Sequence, residues 1–205
     1  MKFLLVAVVF ATVSFGEVIT FDSTTSITNN TSSPAETTVA ATPDPAWATA
    51  LPGSEWITTT GNIAPPIGTN VVFTENLDIS GPFDAAILNL GVFAADSATV
   101  MLDGTTLFTE NTNLGMYCSS GVIGCVDGTE GVLSALDVTS DLHLGTNTLT
   151  FQVFRESNST AFGLDFAGSL VTSNVVTTPE PSCAVVLGCG LLGVVLTRRR
   201  SRNAA

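Results

Sequence analysis

Basic residues are scarce in this chain, and histidine and tyrosine occur once each. The 6 basic residues are Lys2, Arg155, Arg198, Arg199, Arg200 and Arg202, which leaves Arg155 as the single cation between Glu17 and Thr178. That window holds 17 of the 18 acids, so its formal charge is −16 where the whole chain carries −12. A body this short of cations repels phosphate backbones, which excludes nucleic-acid binding. One histidine supplies too few ligands for a zinc-type centre. No serine stands in a G-x-S-x-G context, so a triad drawn through His143 and Asp141 has no nucleophile. Acids are plentiful enough for chance pairs, and no glycosidase pair is nominated. Helical periodicity is missing from the body as well. These absences point away from an enzyme.

What is present begins at the two ends. Met1 and Lys2 precede an apolar run over 3–13, and Ser14 and Gly16 supply small residues at the −3 and −1 positions. This predicts a signal peptide over 1–16, with Glu17 as the mature terminus. A buried N-terminal strand is the weaker reading, because the run sits directly against the initiator Met. At the other end Pro179, Glu180 and Pro181 are followed by an uncharged run over 183–197 and then by Arg198, Arg199, Arg200 and Arg202. The prolines hold an extended stretch. The run after them predicts a single hydrophobic helix, and the arginines keep its end on the cytoplasmic side. Residues 182–197 number 16, short of the ~20 of a comfortable span.

The order of motif, short apolar helix and arginine block over 175–205 resembles a PEP-CTERM sorting segment. The resemblance implies an exported bacterial envelope protein. It would be a membrane-anchored precursor, cut near the motif by an exosortase-type enzyme and delivered to the cell surface or exopolysaccharide matrix. A plain tail anchor is the alternative. A GPI signal is another, but it lacks a terminal block of arginines.

Between the ends, 17–46 is a polar leader rich in Thr and Ser, in which Val18, Ile19, Thr20 and Phe21 are able to form an outer strand. The body, 47–174, reads as short strands separated by Gly, Asn and Asp turns. Strands are expected at 55–59, 71–79, 85–93, 97–102, 105–108, 131–138, 148–154 and 162–168. Asp103 and Gly104 mark a two-residue hairpin. The 85–93 segment is nearly continuous in apolar residues and is expected to be buried on both faces. The pattern predicts an all-β fold, one antiparallel β-sandwich.

The blocks Trp56-Ile57, then Ala86 to Leu90, then Asp96 and Ala98 to Gly104, then Leu136 to Thr139 with Leu142 and Leu144 to Leu149 resemble a galactose-binding-like jelly roll. That resemblance implies a scaffold found in many carbohydrate-binding modules, and many of its members are purely structural. It also implies a calcium ion between first and last strands, for which Glu55 and Asp165 are the nominal ligands.

Cys118 and Cys125 flank a Gly-containing loop, and in an exported protein they are expected to form a disulfide. Cys183 and Cys189 lie in the apolar tail and read as packing residues. Trp47, Trp56 and Tyr117 are candidates for stacking on a sugar ring. Trp56 reads as core, leaving Trp47 and Tyr117 as candidate glycan contacts, with packing the preferred reading for all three and an edge cap the alternative for Trp47. The expected function is a non-catalytic envelope or matrix protein associated with exopolysaccharide. A carbohydrate-binding module is the second reading and a hydrolase with an unseen site the third.

Overall fold

The computed structural model describes residues 14–24, 28–29, 38–59, 65–109, 118, 123–159 and 161–175. The 1–13 part of the expected signal peptide, Tyr117 and the whole 176–205 tail lie outside the described residues. Gly16–Asn174 forms one compact unit, and the second unit, Met1–Phe15 with Val175–Ala205, falls almost wholly outside the described set.

The described chain is all-β. Eleven strands run β1 Ser14–Asp22, β2 Thr28–Asn29, β3 Thr38–Ala40, β4 Ile57–Thr59, β5 Asn70–Ile79, β6 Ala85–Ala95, β7 Ser97–Leu102, β8 Thr105–Phe108, β9 Gly131–Asp137, β10 Gly145–Phe154 and β11 Gly163–Val175. They build two sheets. Sheet A has the order β3-β4-β11-β6-β9, with β1 also pairing β11, and sheet B has the order β2-β5-β10-β7-β8. Every pairing with a stated register is antiparallel. Among the described residues no helix is long and apolar enough to cross a membrane.

Alternation drives the two central strands of sheet B. Val71, Phe73, Leu77 and Ile79 on β5 are buried, as are Leu149, Phe151 and Val153 on β10, and Phe73 pairs with Phe151. Period-2 burial of this kind places one apolar row on the inner face of each sheet. Each large side chain so buried contributes roughly 1.5–3 kcal/mol. From sheet A the opposing row is Leu164, Phe166 and Leu170 on β11 with Leu88, Leu90 and Val92 on β6. Phe151 of sheet B stacks on Phe166 of sheet A at 4.3 Å.

The β7–β8 hairpin turns through Asp103 at φ 46° and Gly104 at φ 88°, the paired positive dihedrals of a two-residue loop that matches strand twist. β6 is longer than its apolar signature suggests, and only its far end is buried on both faces. Ile87, Asn89 and Gly91 on its outer side are half-buried, whereas Phe93 and Ala95 are covered by a loop cap.

Strand β1 carries Val18 to Phe21 and also takes in Ser14, Phe15 and Gly16, which the sequence assigns to the signal peptide. Gly16 lies against Thr172 and the Ser23 N–H donates to Phe166 O at 3.0 Å, so β1 runs antiparallel to β11. A Cβ on Gly16 would stand 2.7 Å from the Thr172 carbonyl. A small residue is therefore required there by packing.

Candidate functional site

The covered end of sheet A's outer face is an aromatic cap. Trp47 and Trp56 lie 4.3 Å apart, Trp56 stacks on Phe93 at 6.1 Å, and Cys118 and Cys125 pack into the same cluster. The two cysteines form a disulfide with a Cα–Cα distance of 4.7 Å. Backbone bonds fasten the cap: Ala48 N–H donates to Cys125 O at 2.7 Å, and Ala94 N–H on β6 donates to Gly124 O at 2.8 Å. Trp56 Nε1–H donates to Ala48 O at 3.0 Å.

This arrangement bears out packing, the reading preferred from the sequence, over a sugar platform for Trp47. It is 8% exposed and rests on Gly163, where a Cβ would meet its ring at 2.9 Å. A ring enclosed in this way has no open face for a pyranose. The Pro-Asp-Pro segment before it turns the chain so that the indole goes inward, with Trp47 N–H donating to Asp44 O at 2.9 Å.

Asp165, on the outer side of β11, is fully buried beneath the segment before β4. The Ser23 and Ser54 hydroxyls lie 3.0 and 2.5 Å from its Oδ1, and Leu51 N–H donates to Oδ2 at 2.8 Å. Burial pushes this carboxyl above the ordinary carboxylate value, against the pull of its Ser54, Leu51 and Ser23 hydrogen bonds, and the nearby Asp22 charge adds to the rise. Glu55 meets it only through Ser23, whose hydroxyl lies 2.5 Å from the Glu55 carbonyl, and the Glu55 side chain is exposed. The expected calcium pair therefore does not fit. Both Asp165 oxygens already face protein donors, whose positive ends would oppose a cation. Among the described residues no three His, Cys, Asp or Glu side chains gather to hold a metal. Asp165 works as a hydrogen-bond hub joining the β1 turn, the segment before β4, and β11.

His143 is 63% exposed in its side chain and faces Asp103 at 3.3 Å. Asp141 instead accepts from the Thr105 hydroxyl at 3.2 Å. His143 and Asp141 thus bond to different partners.

The open part of sheet A's outer face carries a groove of about 410 Å³ across β6, β9 and β11. Asn89, Ser134 and Ser169 supply polar groups along it, and Gly91, Ala167 and Val132 form its apolar floor. Val132 is 58% exposed. The groove is shaped by a bulge between β6 and β9 around Asn89, where Ala135 takes φ 52° and its N–H donates to Asn89 Oδ1 at 2.9 Å. That bond fixes the carboxamide and orients its Nδ2 donors away from Ala135. No charged side chain lines the groove. It is a shallow, open depression, mostly apolar, with these three polar side chains along it. Sequence reasoning missed it because its residues come from three strands distant in sequence and the bulge has no local signature.

No protein-family model matches the chain, and no curated protein matches its sequence. Among solved structures it is similar to the Podospora anserina GH26-CBM35 β-(1,4)-mannanase, with a TM-score of 0.38 and 16% identity over 80% of this chain. The chain spans 28% of the length of that enzyme.

Proposed function

We propose that this chain is an exported, non-catalytic β-sandwich of the bacterial cell surface or extracellular matrix, associated with exopolysaccharide. In this reading an exosortase-type enzyme processes the tail at Pro179-Glu180-Pro181 after transient membrane retention through the 183–197 helix and its arginines. The observation that carries the proposal is the disulfide-closed aromatic cap, because a disulfide built into a core belongs to an oxidising compartment. The −16 body charge supports it, since a strongly acidic domain stays soluble outside the cell. Intact mass of the protein recovered from its native envelope tests the reading, alongside a variant with the Pro179-Glu180-Pro181 motif changed to alanines. Masses lacking 1–16 and the residues after the motif, with processing lost in the variant, are expected. A full C-terminus retained equally in both would leave a plain tail anchor.

The uncharged groove on sheet A favours a second reading, a carbohydrate-binding module for a neutral surface or matrix glycan. Glycan-array binding by the purified protein, with and without calcium, tests it. Asn89→Ala is expected to abolish binding, and uniform absence of binding by the wild type would end this reading.

A further inference from the structure

One edge of β11 is shared by two strands set end to end. Leu164 pairs with Ile57 of β4. Two residues further on, Phe166 O accepts from the Ser23 N–H, just past the end of β1. Among the described residues β3 pairs only with β4, and there Ala40 stands opposite Ile57. The sheet edge is therefore notched where β1 stops and β4 begins. A cavity of about 240 Å³ lies in this notch, with Ser23, Thr24, Thr38, Ala40, Glu55 and Ile57 in its wall. It shares no residue with the groove on β6, β9 and β11, and it is enclosed on more sides.

The polar groups of the wall fall into two sets. Ser23 is committed to the fold: its hydroxyl lies 2.5 Å from Glu55 O and 3.0 Å from Asp165 Oδ1, and it accepts the Glu55 N–H at 3.3 Å. These bonds hold the two strand ends at a fixed separation, so the cavity is preformed. The Thr24 hydroxyl donates to Asp22 Oδ1, which leaves lone pairs on its own oxygen. The second set is uncommitted. Thr38 Oγ1 is buried and has no hydrogen-bond partner, a state that costs free energy until a guest or water pairs it. Glu55 is exposed and brings a carboxylate, which only accepts. The wall thus offers more acceptors than donors. No basic side chain lines it, and the surrounding body carries −16, so an anionic guest is repelled. Ala40 and Ile57 supply an apolar side. The volume falls below the roughly 300–1,000 Å³ of sites for drug-sized ligands, so the guest is small.

We propose that the notch between β1, β3 and β4 binds one hydroxyl-rich, non-anionic sugar residue at the end of a glycan. Thr38 exchanges a hydrogen bond with one sugar hydroxyl, and the Glu55 carboxylate accepts from others. Ala40 and Ile57 meet the C–H side of the ring. The proposal shares its ligand class with the carbohydrate reading above but rests on different residues. The open groove lies along three strands and could follow a chain, whereas the notch admits a single residue.

Titration of the isotope-labelled full-length chain, followed by amide chemical shifts, tests this. The probes are the methyl glycosides of glucose, galactose and mannose, with glucuronate as the anionic arm and calcium as a separate one. Saturable shifts at the Thr24, Thr38 and Glu55 amides are expected with at least one neutral sugar, and much weaker ones with glucuronate. Thr38→Val should weaken the neutral sugar about tenfold. Glu55→Gln should narrow the gap between neutral sugar and glucuronate. The amide map and Glu55→Gln decide the matter whether or not Thr38→Val folds. Shifts confined to Asn89 and Val132 would put the sugar in the groove, which overturns this proposal and leaves the carbohydrate reading standing. Silence at both places ends both. Shifts at the notch with calcium and none with sugar would make it a cation site, which also overturns the proposal.

Discussion

Phe151 of β10 and Phe166 of β11 stack across the sandwich at 4.3 Å with their planes 23° apart. Both rings are fully buried, and they form a direct aromatic tie between the sheets. Phe151→Ala is expected to destabilise the protein by about 3–5 kcal/mol, through lost transfer energy and the cavity left behind. Urea unfolding followed by tryptophan fluorescence measures this. A loss below about 1 kcal/mol would mean the sheets close over the gap.

Asp165 ties three segments through acceptor oxygens, so its replacement should be felt even though it carries no chemistry. Asp165→Asn puts an amide donor where a protein donor now points, at an expected loss of about 1–3 kcal/mol. Calcium should leave the melting temperature of both proteins unchanged. A calcium-dependent rise in the wild type alone would restore the metal reading.

The pH profile of stability carries a sign that identifies Glu75. Its folded value, about 7, lies above the ordinary 4.5, so the folded state holds the proton more tightly. Its contribution is full below about 4.5, falls as the pH rises, and is lost above about 7. Asp165 is raised too and acts in the same sense. Asp137 is lowered by the Thr139 hydroxyl and then by the Thr139 backbone, so its share is present above its ordinary 3.8 and disappears as acid is added. Stability measured between pH 4.5 and 7.5 should therefore decline with pH, and Glu75→Gln should remove most of that slope. A rising profile in the wild type would contradict the assignment.

Cys118 and Cys125 are separated by seven positions and close the cap over Trp47. Removing so short a crosslink is expected to cost about 2–3 kcal/mol. The effect should be local first. Reductant should raise tryptophan fluorescence change and protease sensitivity in the 118–129 segment before the sheets unfold. Simultaneous loss of cap and sheets would show that the cap is part of the global cooperative unit.

The strands were legible where burial is one-sided. Alternation at Leu149, Phe151 and Val153 announces an inner face, and Asp103-Gly104 announces its turn, because both signals are local. The cysteine pair was legible for the same reason. The partners of Trp47 were not, since its position after Pro45 leaves exposure and edge capping both open, and Cys118 and Cys125, which pack in its cluster, lie far along the chain. Asp165 looked like a metal ligand because its donors Ser23 and Ser54 come from 142 and 111 residues away. The groove depends on a register shift at Asn89, a property of two paired strands and invisible in either alone.

Strand β1 continues through Gly16, so a cut after that residue would fall inside a paired strand. The new α-amino group would belong to Glu17, whose backbone nitrogen lies 3.4 Å from the Thr172 hydroxyl. An α-amine is half protonated at about pH 7.7–8.0 and mostly charged below that. If the expected cut is made, it adds a second cation to a body that otherwise has only Arg155, and places it beside Thr172 of β11. A signal peptidase would then do more than trim the chain. It would also write a positive charge onto the edge of the sandwich.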